Sequence, residues 1–210
     1  LDTAYIGRMP ETSKRQAKRL LEKEVAAKMA QQNYKYIVCI ADGARDLWRY
    51  FQRKYPDTIH VVDFFHVCEH LSNLSNLLFA DSSQAKAWYK KYRTILKDDP
   101  KGAAKTIRAA RYRRGLIKEH PEIASEIKYL QHNRKRMNYF KLRQKKLPIG
   151  SGVVEAACKN LIGARMKKSG MRWSIEGGQT VLTLRSIILS NRWDNFWAYF
   201  IKQHFSELKT

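Results

Sequence analysis

Acidic residues are scarce in this chain. Only 19 Asp and Glu stand against 41 Lys and Arg in 210 residues, a formal net charge of +22 at pH 7. A folded chain this basic repels itself unless it meets a polyanion, and nucleic acid is the polyanion that proteins meet most often. The charge balance therefore indicates a nucleic-acid partner.

Cysteines and long hydrophobic runs are also few. The three cysteines, Cys39, Cys68 and Cys158, are odd in number and lack CxxC spacing, which fits reduced thiols better than a disulfide framework. The longest apolar run, residues 36–41, is far shorter than the roughly 20 residues that span a bilayer. We therefore expect no membrane partner, and a protein of a reducing compartment, the cytoplasm or the nucleus.

Glycine and proline, at ten and five residues, leave most of the chain free to form regular elements, and 44% hydrophobic residues suffice for a core. The alternation in TAYIGRMP predicts an opening strand, and the spacing of apolar residues predicts a helix over residues 11–32. Further along, YKYIVCIADGA and TIHVVDFF are typical of buried strands, each followed by a helix. This alternation predicts an α/β layer with parallel pairing.

The pattern changes near residue 81, after which the chain is typical of helices only. The stretch QKKLPIGSG breaks the helical pattern before two further helical segments. We predict a first part of the core in residues 1–80, a helical insertion in residues 81–147, and a helical C-terminal part of the core in residues 148–210.

Two acids follow predicted strands, which is where open α/β sheets gather their active sites. Asp42 ends the first buried strand and Asp63 the second, with His66 three residues later. Both acids have a plainer interpretation, Asp42 as an Asp-Gly turn and Asp63 as the N-cap of the following helix. His66, Cys68 and His70 suggest zinc, but position 68 points away from 66 and 70 on a helix, and no fourth ligand follows at suitable spacing.

Glu155 is isolated among positive charges. Between residues 127 and 175 there are thirteen Lys and Arg and no other carboxylate. Glu155 could pair with Lys159 one helical turn later, but the apolar neighbours of this acid predict a packed first turn. A packed carboxylate is costly unless it is paired or binds a metal, so the pattern favours a functional acid.

Asp42, Asp63 and Glu155 on a strongly basic protein would suit two-metal phosphodiester chemistry, in which carboxylates hold a pair of Mg²⁺ ions. Acids gathered this closely would repel each other without metal. The sequence therefore predicts dependence on Mg²⁺ or Mn²⁺.

Two basic runs, residues 101–118 and 134–146, are candidates for tracking phosphates; a solvated helical face is the alternative. Aromatic residues within or near them, including Tyr112, either stack on unpaired bases or pack inside, and packing is the commoner role. The predicted DNA-binding residues are Lys101, Lys105, Arg108, Arg111, Arg113, Arg114, Arg134, Lys135, Arg136, Lys145, Lys146, Lys159, Lys167 and Lys168.

Several segments resemble a known family. The motifs IADGARDLW, VDFFHVCEHL, LPIGSGVVEAACKNLIGARMKKSGMRWS, GGQTVLTLRS and SNRWDNFW are similar to those of bacterial ISKra-type insertion-sequence transposases, relatives of the Mutator-like group. The resemblance implies a DDE transposase with an RNase H-like core interrupted by a helical insertion. It also implies metal-dependent DNA strand cleavage and strand transfer, by at least a dimer on DNA.

The resemblance also assigns residues. It implies that Asp42 and Glu155 are metal-binding catalytic acids, and that Asp63 and His66 support the site. The first catalytic Asp of the family has no counterpart, since Asp2 lies too close to the predicted opening strand. This implies that the core is incomplete at its N-terminus, through truncation or degradation, and that the chain alone lacks nuclease activity.

Two other functions remain open. The chain could be a catalytically dead remnant that only binds nucleic acid, or another RNase H-like nuclease such as a junction resolvase, which would not explain the Gly-Ser-Gly block.

Overall fold

The computed structural model describes residues 3–10, 14–112, 120–152, 158–163, 166–167 and 169–206. The chain divides into two compact units, one formed by residues 35–151 and the other by residues 1–34 together with 152–210. Each unit is described by itself below.

The unit of residues 35–151 contains two strands and six α-helices in its described part. The two strands alternate with two helices, and four further helices follow, with a short 3₁₀ turn before the last one. The elements are β1 (Val38–Ala41), α2 (Arg45–Lys54), β2 (Ile59–Val62), α3 (Phe64–Leu78), α4 (Ser82–Asp98), α5 (Gly102–Tyr112), α6 (Glu122–Asn133), the 3₁₀ turn (Arg134–Arg136) and α7 (Tyr139–Gln144).

The regular elements that the structure describes in the second unit are all helical. Helix α1 (Arg15–Gln31) precedes the first unit in the chain, and a short π-helical turn (Lys159–Gly163), α8 (Ile175–Leu189) and α9 (Trp193–Ser206) follow it. Leu161 of the turn and Leu182 of α8 are buried, at 4% and 3% exposure. The turn packs against α8, which also contacts α9.

The expected α/β class with an RNase H-like core is wrong. Helix makes up 69% of the structure, and the described residues contain one sheet of two parallel strands. Both predicted buried strands are present. The larger sheet that the α/β class implies is not found among the described residues. Around the strand pair, hydrophobic burial is achieved by helices packing on helices: α3 packs on α4 and α6, and α4 also contacts α5 and α7.

Helix α3 organises the core of the first unit. Its apolar residues recur at Val67, Leu71, Leu74 and Leu78, a helical period that places one continuous stripe inside, and each is at most 2% exposed. The hydroxyl of Tyr139, which is fully buried, donates a hydrogen bond of 2.8 Å to the carbonyl of β2 residue 62 and so fastens α7 to the sheet.

The predicted opening strand at residues 3–10 is not a strand. Its backbone N–H groups at Tyr5, Gly7 and Met9 donate to side chains on helix α8 and the residue that follows it, over 2.9, 3.1 and 3.0 Å. The acceptors are hydroxyl and amide oxygens of Ser190, Ser186 and Gln179. Every second N–H of this segment therefore donates a hydrogen bond, as in a strand. The acceptors are polar side chains along a helix and not the backbone of a neighbouring strand.

Candidate functional site

The carboxyl ends of β1 and β2 bring two of the predicted acids to one edge of the sheet. Ala41 pairs with Val62 in the parallel register, and the N–H of Asp63 donates to the Ala41 carbonyl over 2.9 Å. Asp42 and Asp63 are the residues that follow this pair, so they leave the sheet side by side.

Asp42 is exposed at this edge. One of its carboxylate oxygens, Oδ1, accepts the N–H of Ala44 over 3.0 Å, which is the Asp-Gly turn interaction considered from the sequence. The other oxygen, Oδ2, has no hydrogen-bond partner among the described residues. Asp42 therefore combines a local turn role with a carboxylate oxygen that remains available to a ligand.

Asp63 is buried, at 5% exposure, and both of its carboxylate oxygens are occupied. Oδ1 caps helix α3 by accepting from the N–H groups of Phe65 and His66, over 2.7 and 3.4 Å. Oδ2 accepts from the N–H of Ser151 over 2.7 Å and from its hydroxyl. This carboxylate therefore ties Ser151 to the sheet edge, and all its lone pairs are engaged by N–H and hydroxyl donors.

Gly150 is required by this contact. A Cβ atom at this position would lie 2.8 Å from two ring atoms of Phe65, closer than real side chains approach each other. The backbone also pairs here, since the N–H of Phe64 donates to the carbonyl of Ile149 over 2.9 Å. Ile149, Gly150 and Ser151 are thus fitted closely against the start of α3.

Two histidines on α3 contact carboxylates. Nδ1 of His70 lies 2.6 Å from Glu126 of helix α6, and Nδ1 of His66 lies 3.1 Å from Glu69. The ring of Tyr129 stacks on His70, with 3.6 Å between their centroids. Cys68 of the same helix is buried at 5% exposure, away from this contact.

Tyr129 joins these side chains to Asp42. Its hydroxyl donates to the Asp42 carbonyl over 2.8 Å, and its ring lies against Gly43, whose φ of 105° favours glycine. Burial raises the pKa of the Tyr129 hydroxyl above its ordinary value, and the surrounding carboxylates add to the shift. Those carboxylates belong to Asp42, Asp63, Glu126 and Glu69.

The described residues do not form the predicted magnesium site. Within those ranges, no group of three or more His, Cys, Asp or Glu is placed to hold a metal ion. Asp42 offers one available oxygen and Asp63 offers none. Glu155, the other predicted metal ligand, lies outside the described residues.

Positive charge is concentrated in a groove beside this edge. Two adjoining concavities of about 580 and 500 Å³ share Gln52, His132 and Arg136, and Gly43 lines the first. No Asp or Glu is among the described residues that line either one. We call this surface the basic groove; its Lys and Arg residues are Arg45, Arg49, Lys128, Lys135, Arg136, Lys141 and Lys145.

The cations of the basic groove are not neutralised by neighbouring acids. None of the seven forms an ion pair with a described residue. The guanidinium of Arg136 lies 4.6 Å from the ring centroid of Trp48, and burial lowers its pKa below the ordinary value. Because an arginine remains charged in proteins, Arg136 contributes a partly desolvated positive charge where the two concavities meet.

The basic groove contains three of the predicted DNA-binding residues, Lys135, Arg136 and Lys145. Lys141 of α7 lies within the predicted basic run 134–146, although it was not singled out there. Sequence reasoning missed Arg45 and Arg49 of α2 and Lys128 of α6. The spacing of Arg45 and Arg49, one turn apart on a helix that buries its other face, was a signal that could have identified two of them.

The other predicted basic residues lie elsewhere. Lys105 forms an ion pair with Asp99, and Lys101 donates its backbone N–H to the same carboxylate over 2.7 Å. Lys146 is exposed after α7, and Lys159 and Lys167 are exposed in the other unit. Arg108, Arg111 and Arg134 line a separate concavity, whereas Arg113, Arg114 and Lys168 lie outside the described residues.

In the part of the chain that the structure describes, no helix is both long and apolar enough to cross a membrane. Comparison with protein-family models, curated proteins and solved structures found no match. The transposase resemblance therefore depends on the sequence motifs alone.

Proposed function

We propose that this chain is a DNA-binding part of an insertion-sequence transposase, and that it binds the phosphate backbone along the basic groove. The observation that carries the proposal is the groove itself: seven cations line it, none in an ion pair with a described residue, and no acid is among its described lining residues. The motifs around residues 148–174 supply the link to transposition, since charge alone would fit any nucleic-acid-binding protein.

The physical basis is counterion release. Each Lys or Arg that neutralises a phosphate displaces condensed cations from DNA, and this gain in entropy stabilises the complex. Side chains already paired with protein carboxylates contribute less, because they must first give up that partner. This difference favours the basic groove over Lys105 of α5, which is paired with Asp99.

The proposal is tested by neutralising two exposed groove lysines, Lys128→Gln and Lys141→Gln, in one double variant. The control is Lys86→Gln with Lys90→Gln on helix α4, which removes the same charge from exposed positions outside the groove. Binding to a mixed-sequence duplex is measured by fluorescence anisotropy. At 0.1 M salt we expect the groove variant to lose about eightfold in affinity for each lost phosphate contact.

The control variant is expected to bind nearly as well as the unmodified protein. Equal losses in both double variants would show that only total charge matters, and the basic groove would not be the binding surface. A protein that fails to bind DNA at all would refute the proposed function itself.

Metal-dependent strand cleavage is a second candidate, supported by the placement of Asp42. Its carboxylate is exposed at the sheet edge, directly before Gly43, which lines the basic groove. Asp63 holds Ser151 at the same edge, and Ser151 belongs to the sequence motif that also contains Glu155. This candidate requires Glu155 and Mg²⁺ or Mn²⁺ in addition to the described residues.

The two candidates are separated by a nicking assay with the natural protein. If the chain is catalytic, Asp42→Asn and Glu155→Gln each abolish Mg²⁺-dependent cleavage while DNA affinity is largely retained. Cleavage that survives both changes rules out this assignment, and absence of cleavage in the unmodified protein leaves DNA binding as the function. A transposase of this kind would work on paired DNA ends as a dimer or larger assembly, associated with the nucleoid.

A further inference from the structure

Helix α5 carries an open concavity that the proposed backbone binding does not use. Its volume is about 440 Å³, within the range of sites for small organic groups. The described residues that line it include three arginines and no acid: Ala104, Ile107, Arg108, Arg111, Tyr112 and Arg134.

The position of Tyr112 is unusual for a large aromatic residue. It is 91% exposed, whereas the neighbouring Ile107 is 7% exposed and belongs to the core. Tyr112 stands one helical turn after Arg108, so the two side chains share a face of α5. Arg134, from the 3₁₀ turn, lines the same concavity.

The exposure of its aromatic ring distinguishes this concavity from the basic groove. Trp48, which lines the groove, is only 4% exposed, whereas Tyr112 presents a ring that is 91% exposed beside cations and an aliphatic floor. A bare phosphate needs the cations only. A nucleobase presents a flat π-face that stacks on tyrosine, and arginine binds the adjoining phosphates. Inside a duplex both faces of a base are covered by its neighbours, so the group that fits must be unpaired.

We infer that this concavity receives an unpaired base of a DNA strand, stacked on Tyr112, with Arg108, Arg111 and Arg134 on the flanking phosphates. The inference rests on the proposed function, and extends it by naming single-stranded DNA as a bound form. The stacking is tolerant of sequence, because each base offers a π-face.

The test compares Tyr112→Leu, which removes the aromatic ring, with Tyr112→Phe, which keeps it. Tyr199→Leu is the control, since Tyr199 is also well exposed, at 63%, but lies on helix α9 of the other unit. Affinities are measured for a mixed-sequence single strand and for a fully paired duplex. We expect Tyr112→Leu to weaken single-strand binding by roughly 5- to 100-fold, with Tyr112→Phe, Tyr199→Leu and all duplex affinities nearly unchanged.

Two results would overturn the inference. One is a Tyr112→Leu variant that binds single strands normally while Lys128→Gln with Lys141→Gln still weakens duplex binding; the proposed function would then stand without the base site. The other is an abasic oligonucleotide that binds as tightly as the normal strand, because the concavity would then hold phosphate alone. If neither set of variants changes binding, the proposed function fails together with the inference.

Discussion

Replacing Asp63 with asparagine is expected to destabilise the protein by about 2–4 kcal/mol, although the two side chains have nearly the same shape. The carboxylate accepts hydrogen bonds on both oxygens, from the start of α3 and from Ser151. Asparagine can accept on one side only and must present an NH₂ group to an N–H donor on the other. A buried donor left without an acceptor costs about 1–3 kcal/mol, and the lost negative charge weakens the remaining bonds.

The comparison is with Asp81→Asn at the N-cap of α4. Asp81 is exposed and accepts the N–H of Gln84 over 2.8 Å, a bond that asparagine makes equally well. That variant should leave the free energy of unfolding nearly unchanged, and Ser151→Ala, which loses one hydroxyl bond, should cost about 1 kcal/mol. Urea unfolding followed by circular dichroism measures all three. If Asp63→Asn is no more destabilising than Asp81→Asn, the two-sided role of Asp63 is refuted.

Two further perturbations test other contacts. Gly43→Ala should lower the free energy of unfolding by about 1–3 kcal/mol, because φ is 105° and a Cβ would lie 2.8 Å from the Tyr129 ring; an unchanged urea midpoint contradicts that geometry. The hydrogen bond from Arg192 lowers the pKa of Glu24 below its ordinary value of 4.5, so its stabilisation is present above pH 4.5 and disappears as pH falls through the lowered pKa. Glu24→Gln should therefore flatten the loss of stability between neutral and acidic pH, and an acid-unfolding curve identical to that of the unmodified protein would contradict this.

Local patterns in the sequence predicted individual elements well and their assembly poorly. The runs around Val38 and Ile59 are strands, and their parallel pairing follows from the helix between them. The alternation at residues 3–10 wrongly indicated a strand. It could not reveal that the hydrogen-bond acceptors are side chains on α8 and the residue after it, Ser190. Alternation shows that the two faces of a segment differ, but it does not show which element lies beside either face.

The candidate site, too, could be predicted from the sequence only in part. The adjacency of Asp42 and Asp63 was predictable, because the carboxyl ends of parallel strands meet at one edge. The hydrogen bonds that Asp63 accepts from both α3 and Ser151 were not predictable, since Ser151 is 88 residues away in the chain. The basic groove was found only in part, because a count of charges along the chain detects dense runs and misses cations that helix packing gathers from separate segments, such as Arg45 and Lys128.

The most direct test of the account is the salt dependence of duplex binding. Each phosphate that a groove cation neutralises adds about 0.9 to the slope of log affinity against log salt concentration. The Lys128→Gln, Lys141→Gln double variant should therefore reduce the magnitude of this slope by about 2, while the Lys86→Gln, Lys90→Gln control leaves it unchanged. An unchanged slope in the groove variant, or an equal reduction in the control, would show that DNA does not bind along the basic groove.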